Sequence, residues 1–225
     1  MTAKPSLASA LAPTFFIDSD SSAVESFVRA NRGESSELND QAVALYYAVR
    51  DGFRYDPYSV SNDAEAYKAS FVLAQGRGWC VTKAILFAAC CRAIGVPARL
   101  GFADVRNHLS TENMRKMMQT DVFYWHGYTS VFLSGKWVKA TPAFNIELCE
   151  KFRLKPLEFD GREDSIYHAF DQDGHEHMEY LHERGVFDDL PLQQMLQDFD
   201  RYYPGMSGAG AGGDFESEVD QEASG

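Results

Sequence analysis

The sequence lacks a long hydrophobic run, has few cysteines and is short of positive charge, and each shortage removes a class of protein. The longest strictly apolar stretch is AILFAACC, residues 84–91, far short of the roughly 20 residues a membrane-spanning helix needs. The start, MTAKPSLASALAPTFFIDSD, has a single lysine and an apolar run broken by Ser9 and Pro13, too weak for the apolar core of a secretory signal. A cytoplasmic protein with no membrane partner is expected. Four cysteines in 225 residues, with no C-x-x-C pair and no Cys/His set at zinc-finger spacing, make neither a disulfide scaffold nor a metal centre. Free thiols, no metal and no other cofactor are therefore expected. Lys and Arg number 21 against 33 Asp and Glu, a formal net charge of -12. A surface of that sign repels phosphates, which excludes nucleic acid as a partner.

Five of the acidic residues fall in residues 205–225, GMSGAGAGGDFESEVDQEASG, which contain no Lys or Arg. That Gly, Ala and Ser setting cannot bury a core, so the expected organisation is one domain over 1–204 and a disordered acidic tail over 205–225.

What remains is 45% hydrophobic and 24% charged over the whole chain, enough for one core of ordinary size. Helices come first. SSAVESFVRAN opens with a capping box from Ser22 to Glu25 and closes near Gly33. ELNDQAVALYYAVRDGF places Ala42, Leu45, Tyr46 and Val49 on one face and ends at Gly52. NDAEAYKASFVLAQG reads as a third helix stopped by Gly76. The fourth begins at Cys80 and is apolar almost all round, which makes it central; Gly95 suits its C′ position and Pro97 prevents continuation. From residue 98 the period changes to that of strands. ARLGFADV is a strand, RNHLSTENMRKMMQTD a polar loop or short helix, and VFYWHGYTSVFLSGKWVKATPAF a hairpin turning at Ser134-Gly135. The fold class is α+β, a helix packed on a mainly antiparallel sheet. Over residues 146–203 only a helix around LPLQQMLQDFDRYY is legible.

Cys80 stands where a nucleophile gains most. At the first turn of a helix, unpaired N–H groups and the positive end of the dipole favour a thiolate. A small buried hydrophobe is the other reading of a lone cysteine. Cys90 and Cys91, mid-helix among apolar neighbours, read as core packing, and Cys149 as structural. Of the six histidines only His126 lies in the middle of a strand pattern, where a thiolate at the end of the neighbouring helix is a suitable partner; a core histidine bonded to backbone is the alternative.

ASFVLAQGRGWCVTKAILFAACCRAIGVPARLGF followed by WHGYTSVFLSGKWVKATP resembles the core of the transglutaminase-like superfamily over roughly residues 66–145. The pieces are a G-x-C opening a helix, an R-A-x-G-[IV]-P-A-R exit, a strand histidine and a G-x-W-V turn, in that order. The resemblance implies a papain-like α+β core with Cys80 at the start of the central helix and a Cys80–His126 pair. It also implies acyl-transfer chemistry: protein crosslinking, amide hydrolysis or peptide cleavage on a protein, peptide or small amide substrate. The family's third member is an Asp where this chain has Thr141. If Leu133 pairs with Lys136, His126 faces Ala143, and its diagonal neighbours are Thr141 and Asn145. Asn145 is the expected orienting group, its carbonyl serving as in papain-like enzymes; Thr141, and Asp104 on the strand after the central helix, are the other candidates.

Around this pair, Trp79 is read as a wall of the substrate groove and Gln75 as a donor to an oxyanion, beside the Cys80 backbone N–H. The acidic stretch EFDGREDSIYHAFDQDGHEHMEY holds Asp171-Gln172-Asp173-Gly174 without the rest of a calcium-loop spacing, and reads as a solvated hairpin. Two functions follow: a cysteine-dependent acyl-transfer enzyme, or a binding domain that keeps the fold without catalysis.

Overall fold

Ser21, one residue before the expected cap, starts the first helix: its hydroxyl accepts the Val24 N–H at 3.4 Å. The computed structural model that shows this describes residues 7–107, 110–166, 178–203 and 213–223. Helix α1 runs Ser22–Asn31 and α2 Leu38–Gly52, the latter burying Ala42, Leu45, Tyr46 and Val49 as its periodicity predicts. The third helical region divides into a 3-10 turn at Ala64–Tyr67 and α3, Ala69–Gln75, which ends on Gly76 at φ +65°. Two short strands, β1 (Arg54–Tyr55) and β2 (Arg77–Gly78), pair in parallel and set up the entry to the next helix.

That helix, α4 (Cys80–Ala93), is buried at every residue from Cys80 to Arg92. It packs on β3 (Ala98–Asn107) and β4 (Val122–Leu133) on one side and on α1, α2 and α3 on the other. Between the two strands lies the short helix α5, Glu112–Met118. A hairpin joins β4 to β5 (Lys136–Ala140). Ser134 and Gly135 both have left-handed backbones, φ +50° and +83°, as a two-residue type I′ turn requires. After α6 (Ile146–Lys151) comes β6 (Met178–Phe187), completing an antiparallel sheet of order β5-β4-β3-β6. Helices α7 (Leu192–Tyr202) and α8 (Phe215–Ala223) end the described chain. The α+β class read from the sequence is the one observed.

The hairpin register is also the expected one, Leu133 opposite Lys136, and it holds as far as Thr129 opposite Ala140. There the ladder stops. Thr141 turns its N–H to the Ser165 carbonyl at 2.8 Å, and Pro142 has no N–H with which to rejoin β4. Asn145 consequently leads into α6 as its N-cap rather than continuing the β4–β5 ladder.

The tail expected to be disordered is folded over residues 215–223. Phe215 and Val219, four apart on α8, are buried in the main core. Acidic composition outweighed two apolar residues in the sequence reading, yet at helical spacing those two form a complete docking stripe. His108, His168, His175, His177 and the Asp171-to-Gly174 segment lie outside the described residues. Among the described residues no helix is long and apolar enough to cross a membrane.

Candidate active site

The approach to Cys80 is built by glycines. A Cβ on Gly78 would meet the Thr82 hydroxyl at 2.5 Å, so only glycine lets β2 run directly into α4. Thr82 then caps the helix from within, accepting the Trp79 N–H at 3.0 Å. From the sheet side, a Cβ on Gly127 would lie 2.8 Å from the Val81 Cα. Its absence allows β4 to press on the first turn of α4, where the Gly127 backbone N–H favours the ionised form of the Cys80 sulfur. His126 is the residue just before, on the strand that makes this contact. Cys80 and His126 are each only 6% exposed.

Both line one cleft with about 430 Å³ of empty space, part of it open to solvent. Tyr55, Pro57 and Val60 form one rim, Met114 and Met118 of α5 the other. Trp79, Phe123 and Tyr124 also line it, together with Phe199 of α7 and Tyr203, the residue that caps that helix. None of these ten carries a charge at neutral pH, so the cleft selects an apolar group.

The helix N-terminus does not lower the Cys80 pKa as the sequence reading supposed. Burial pushes this thiol up to about 11, with the N–H groups of Gly127, Val81 and Cys80 acting in the opposite sense. Desolvation of a fully enclosed thiolate outweighs the fraction of a kcal/mol to about 1 kcal/mol that a dipole supplies. Even so, this is the mildest elevation among the cysteines: burial lifts Cys149 to about 12 and Cys90 and Cys91 far above the thiol range. All four are free thiols. Iodoacetamide labelling of Cys80 is expected to rise about tenfold per pH unit from pH 7 to 9, as for any thiol titrating above that range. A plateau already reached below pH 8 would show a thiolate–imidazolium pair formed before substrate arrives.

Beside His126 the strand is deformed. Ala103 faces His126 but Val105 faces Phe123, so Asp104 stands opposite both Tyr124 and Trp125, a β-bulge. Trp125 has φ +62°, an unfavourable conformation for a bulky side chain. It is pinned there from two directions. Its N–H donates to Asp104 Oδ1 at 3.2 Å and its indole N–H to Asp198 Oδ2 at 2.8 Å. Arg184 of β6 joins the two carboxylates through an ion pair to each and lies 4.7 Å from the Trp125 ring centre. Asp104 is thus one residue from the histidine along the ladder, with its charge engaged by Arg184.

The remaining expected residues are elsewhere. The Asn145 carbonyl oxygen accepts the Tyr55 backbone N–H at 3.2 Å, and the hairpin register from which its place diagonal to His126 was expected ends at Ala140. The Thr141 hydroxyl donates to the Ile166 carbonyl at 3.0 Å. Gln75, exposed at the end of α3, borders a separate hollow with Phe71 and Arg77 and is not a wall of the Cys80 cleft.

Sequence reasoning missed Lys83. One turn into α4 and fully buried, its ammonium donates to the carbonyls of Arg50, Phe53 and Ala143 at 2.8, 2.6 and 2.7 Å. The first two are at the C-terminal end of α2, where a cation is favoured. The only signal was a lysine at i+3 from the cysteine in an otherwise apolar helix.

An antiparallel sheet with a helix-start cysteine and a strand histidine sharing one cleft defines a class of α+β proteins. Within it, this chain belongs to the transglutaminase-like superfamily, whose family model matches residues 25–142. A solved structure of a candidate cysteine protease from Cytophaga hutchinsonii resembles it at 16% identity and a TM-score of 0.45, over 82% of this chain and 56% of that one. The chain therefore spans little more than half the length of that protein. No curated protein matches the sequence.

Proposed function

We propose that the protein is a cysteine-dependent acyl-transfer enzyme acting on an amide or ester through a thioester. The observation that carries the reading is the placement of Cys80: first residue of α4, its sulfur against the Gly127 N–H, with His126 on the same strand and in the same cleft. His126 takes the thiol proton as Cys80 attacks the substrate carbonyl, forming an S–C bond. The oxygen that becomes negative is stabilised by the Cys80 backbone N–H at the helix start. Collapse breaks the bond to the leaving amine or alcohol, which receives the proton from His126, and leaves the acyl group on sulfur. Water or an amine, deprotonated by the same imidazole, then releases the acyl group as acid or new amide. The apolar lining favours a hydrophobic group next to the reacting carbonyl.

The second reading, a binding domain retaining the fold, is favoured by one observation: Thr141 occupies the family's Asp position and gives its hydroxyl to Ile166. Reaction with p-nitrophenyl butyrate separates the two. The enzyme is expected to release a burst of one equivalent of p-nitrophenol and gain one butyryl group on Cys80 by mass spectrometry, neither occurring with Cys80→Ala. No acylation of Cys80 by this ester would overturn the catalytic reading.

A further inference from the structure

The two rims of the cleft are tied together by the end of the chain. Glu218 of α8 accepts the Tyr58 hydroxyl at 2.7 Å, on the turn that includes Pro57, and the Thr111 hydroxyl at 2.7 Å, at the N-cap of α5. Its other oxygen accepts the Asn113 side-chain N–H at 2.8 Å, and that amide also donates to the Tyr58 hydroxyl at 2.9 Å. One carboxylate thus holds three side chains drawn from two elements that line the cleft, the turn at Pro57 and the start of α5. Around it the attachment is electrostatic: Glu216 pairs with Arg54 at 3.3 Å and Lys151 at 3.0 Å, and Asp220 with Lys151 at 2.8 Å. Beneath it, Phe215 packs edge-on to Tyr55, a residue of the cleft itself, with ring centres 5.8 Å apart. With the rims tied, the Cys80 sulfur is nearly closed off, although an acyl group carried on a polypeptide has to reach it.

We propose that α8 is a releasable clasp, closed in this structure, and that substrate enters the Cys80 cleft when Glu218 lets go of α5 and the Tyr58 turn. The elements that separate are α5 and α8, both short, each anchored by only two buried apolar side chains, Met114 and Met118 on α5 and Phe215 and Val219 on α8, and joined to each other through the polar bonds at Glu218, whereas α4 and the sheet stay fixed. α8 carries more acidic than basic residues and its partners Arg54 and Lys151 are basic, so anything that competes for those charges opens the site: salt, or an acidic segment of a substrate protein. This regulation rests on the acyl-transfer reading for its purpose but not for its test.

Cys80 labelling is measured in the full chain with fluorescein-5-maleimide and with the smaller iodoacetamide, mapped by peptide mass spectrometry. Glu218→Ala removes all three bonds at once, and labelling of Cys80 by the maleimide is expected to rise about tenfold, with faster amide hydrogen exchange in α5 and a smaller change for iodoacetamide. Tyr58→Phe, which keeps the ring and loses the hydroxyl's bonds to Glu218 and Asn113, is expected to rise a few-fold and decides the matter should Glu218→Ala fail to fold. Labelling and α5 exchange equal to the parent in a folded variant would overturn the clasp. Because access is read by an alkylating reagent, the clasp stands or falls on this result even if no acyl substrate is ever turned over, and an absent butyryl adduct in an opened variant would count against the catalysis alone.

Discussion

Replacing Lys83 by Met is expected to destabilise the protein by about 3–5 kcal/mol, with a melting temperature lower by on the order of 10 °C. The methionine keeps most of the stem, so packing changes little and the loss comes from the polar end. Three carbonyls, of Arg50, Phe53 and Ala143, each give a lone pair to the same ammonium. Without it all three stay buried, and an unsatisfied buried acceptor costs about 1–3 kcal/mol. Burial pulls the Lys83 pKa down to about 7 against the opposing pull of Asp51, and the three acceptors can be satisfied together only by the charged form. Lys83→Arg is not a rescue, since a planar fork does not match three converging carbonyls. Urea unfolding with a loss below about 1 kcal/mol for Lys83→Met would show that the carbonyls find water instead.

His126→Ala is expected to slow acylation of Cys80 by p-nitrophenyl butyrate about 10²–10⁴-fold at pH 7. The size of the effect follows from the state of the thiol. With its pKa lifted to about 11 by burial, Cys80 carries its proton at neutral pH, and attack requires a base that removes it within the reaction. An enzyme whose thiolate is already formed would lose less. The deficit should therefore shrink as pH rises, because hydroxide increasingly supplies the thiolate that the imidazole no longer generates. A variant within threefold of the parent at pH 7, or a deficit unchanged between pH 7 and 10, would remove His126 from the proton transfer.

The parts of this protein that could be read from its residues are those set by local chemistry. The central helix was bounded by Gly95 and Pro97, and the hairpin by Ser134-Gly135, each a position where backbone geometry dictates the residue. β6 carries no alternating signal because it is an edge strand with a single buried residue, Met178, and the rest half-buried or exposed without a two-residue period, so nothing marks MEYLHERGVF. The site divides the same way. Cys80 and His126 were legible as residue types in the right elements, but the orienting role given to Asn145 relied on extending the hairpin ladder five residues past its last pair, Thr129 with Ala140. Arg184 and Asp198, which brace the Trp125 bulge, are distant in sequence from the residues they hold, and no spacing rule connects them. The direction of the Cys80 pKa shift was misjudged because a sequence shows the helix start and not how completely it is enclosed.

The burial of α4 on every side gives the nucleophile no private way to unfold. A helix with one face in water can fray or swing while the remainder of a domain persists; here each residue from Cys80 to Arg92 is a shared wall between the sheet and the first three helices. Loss of the sulfur's position and loss of the cooperative core are then a single event, so the start of α4 is expected to stay as protected as the core itself up to the melting transition.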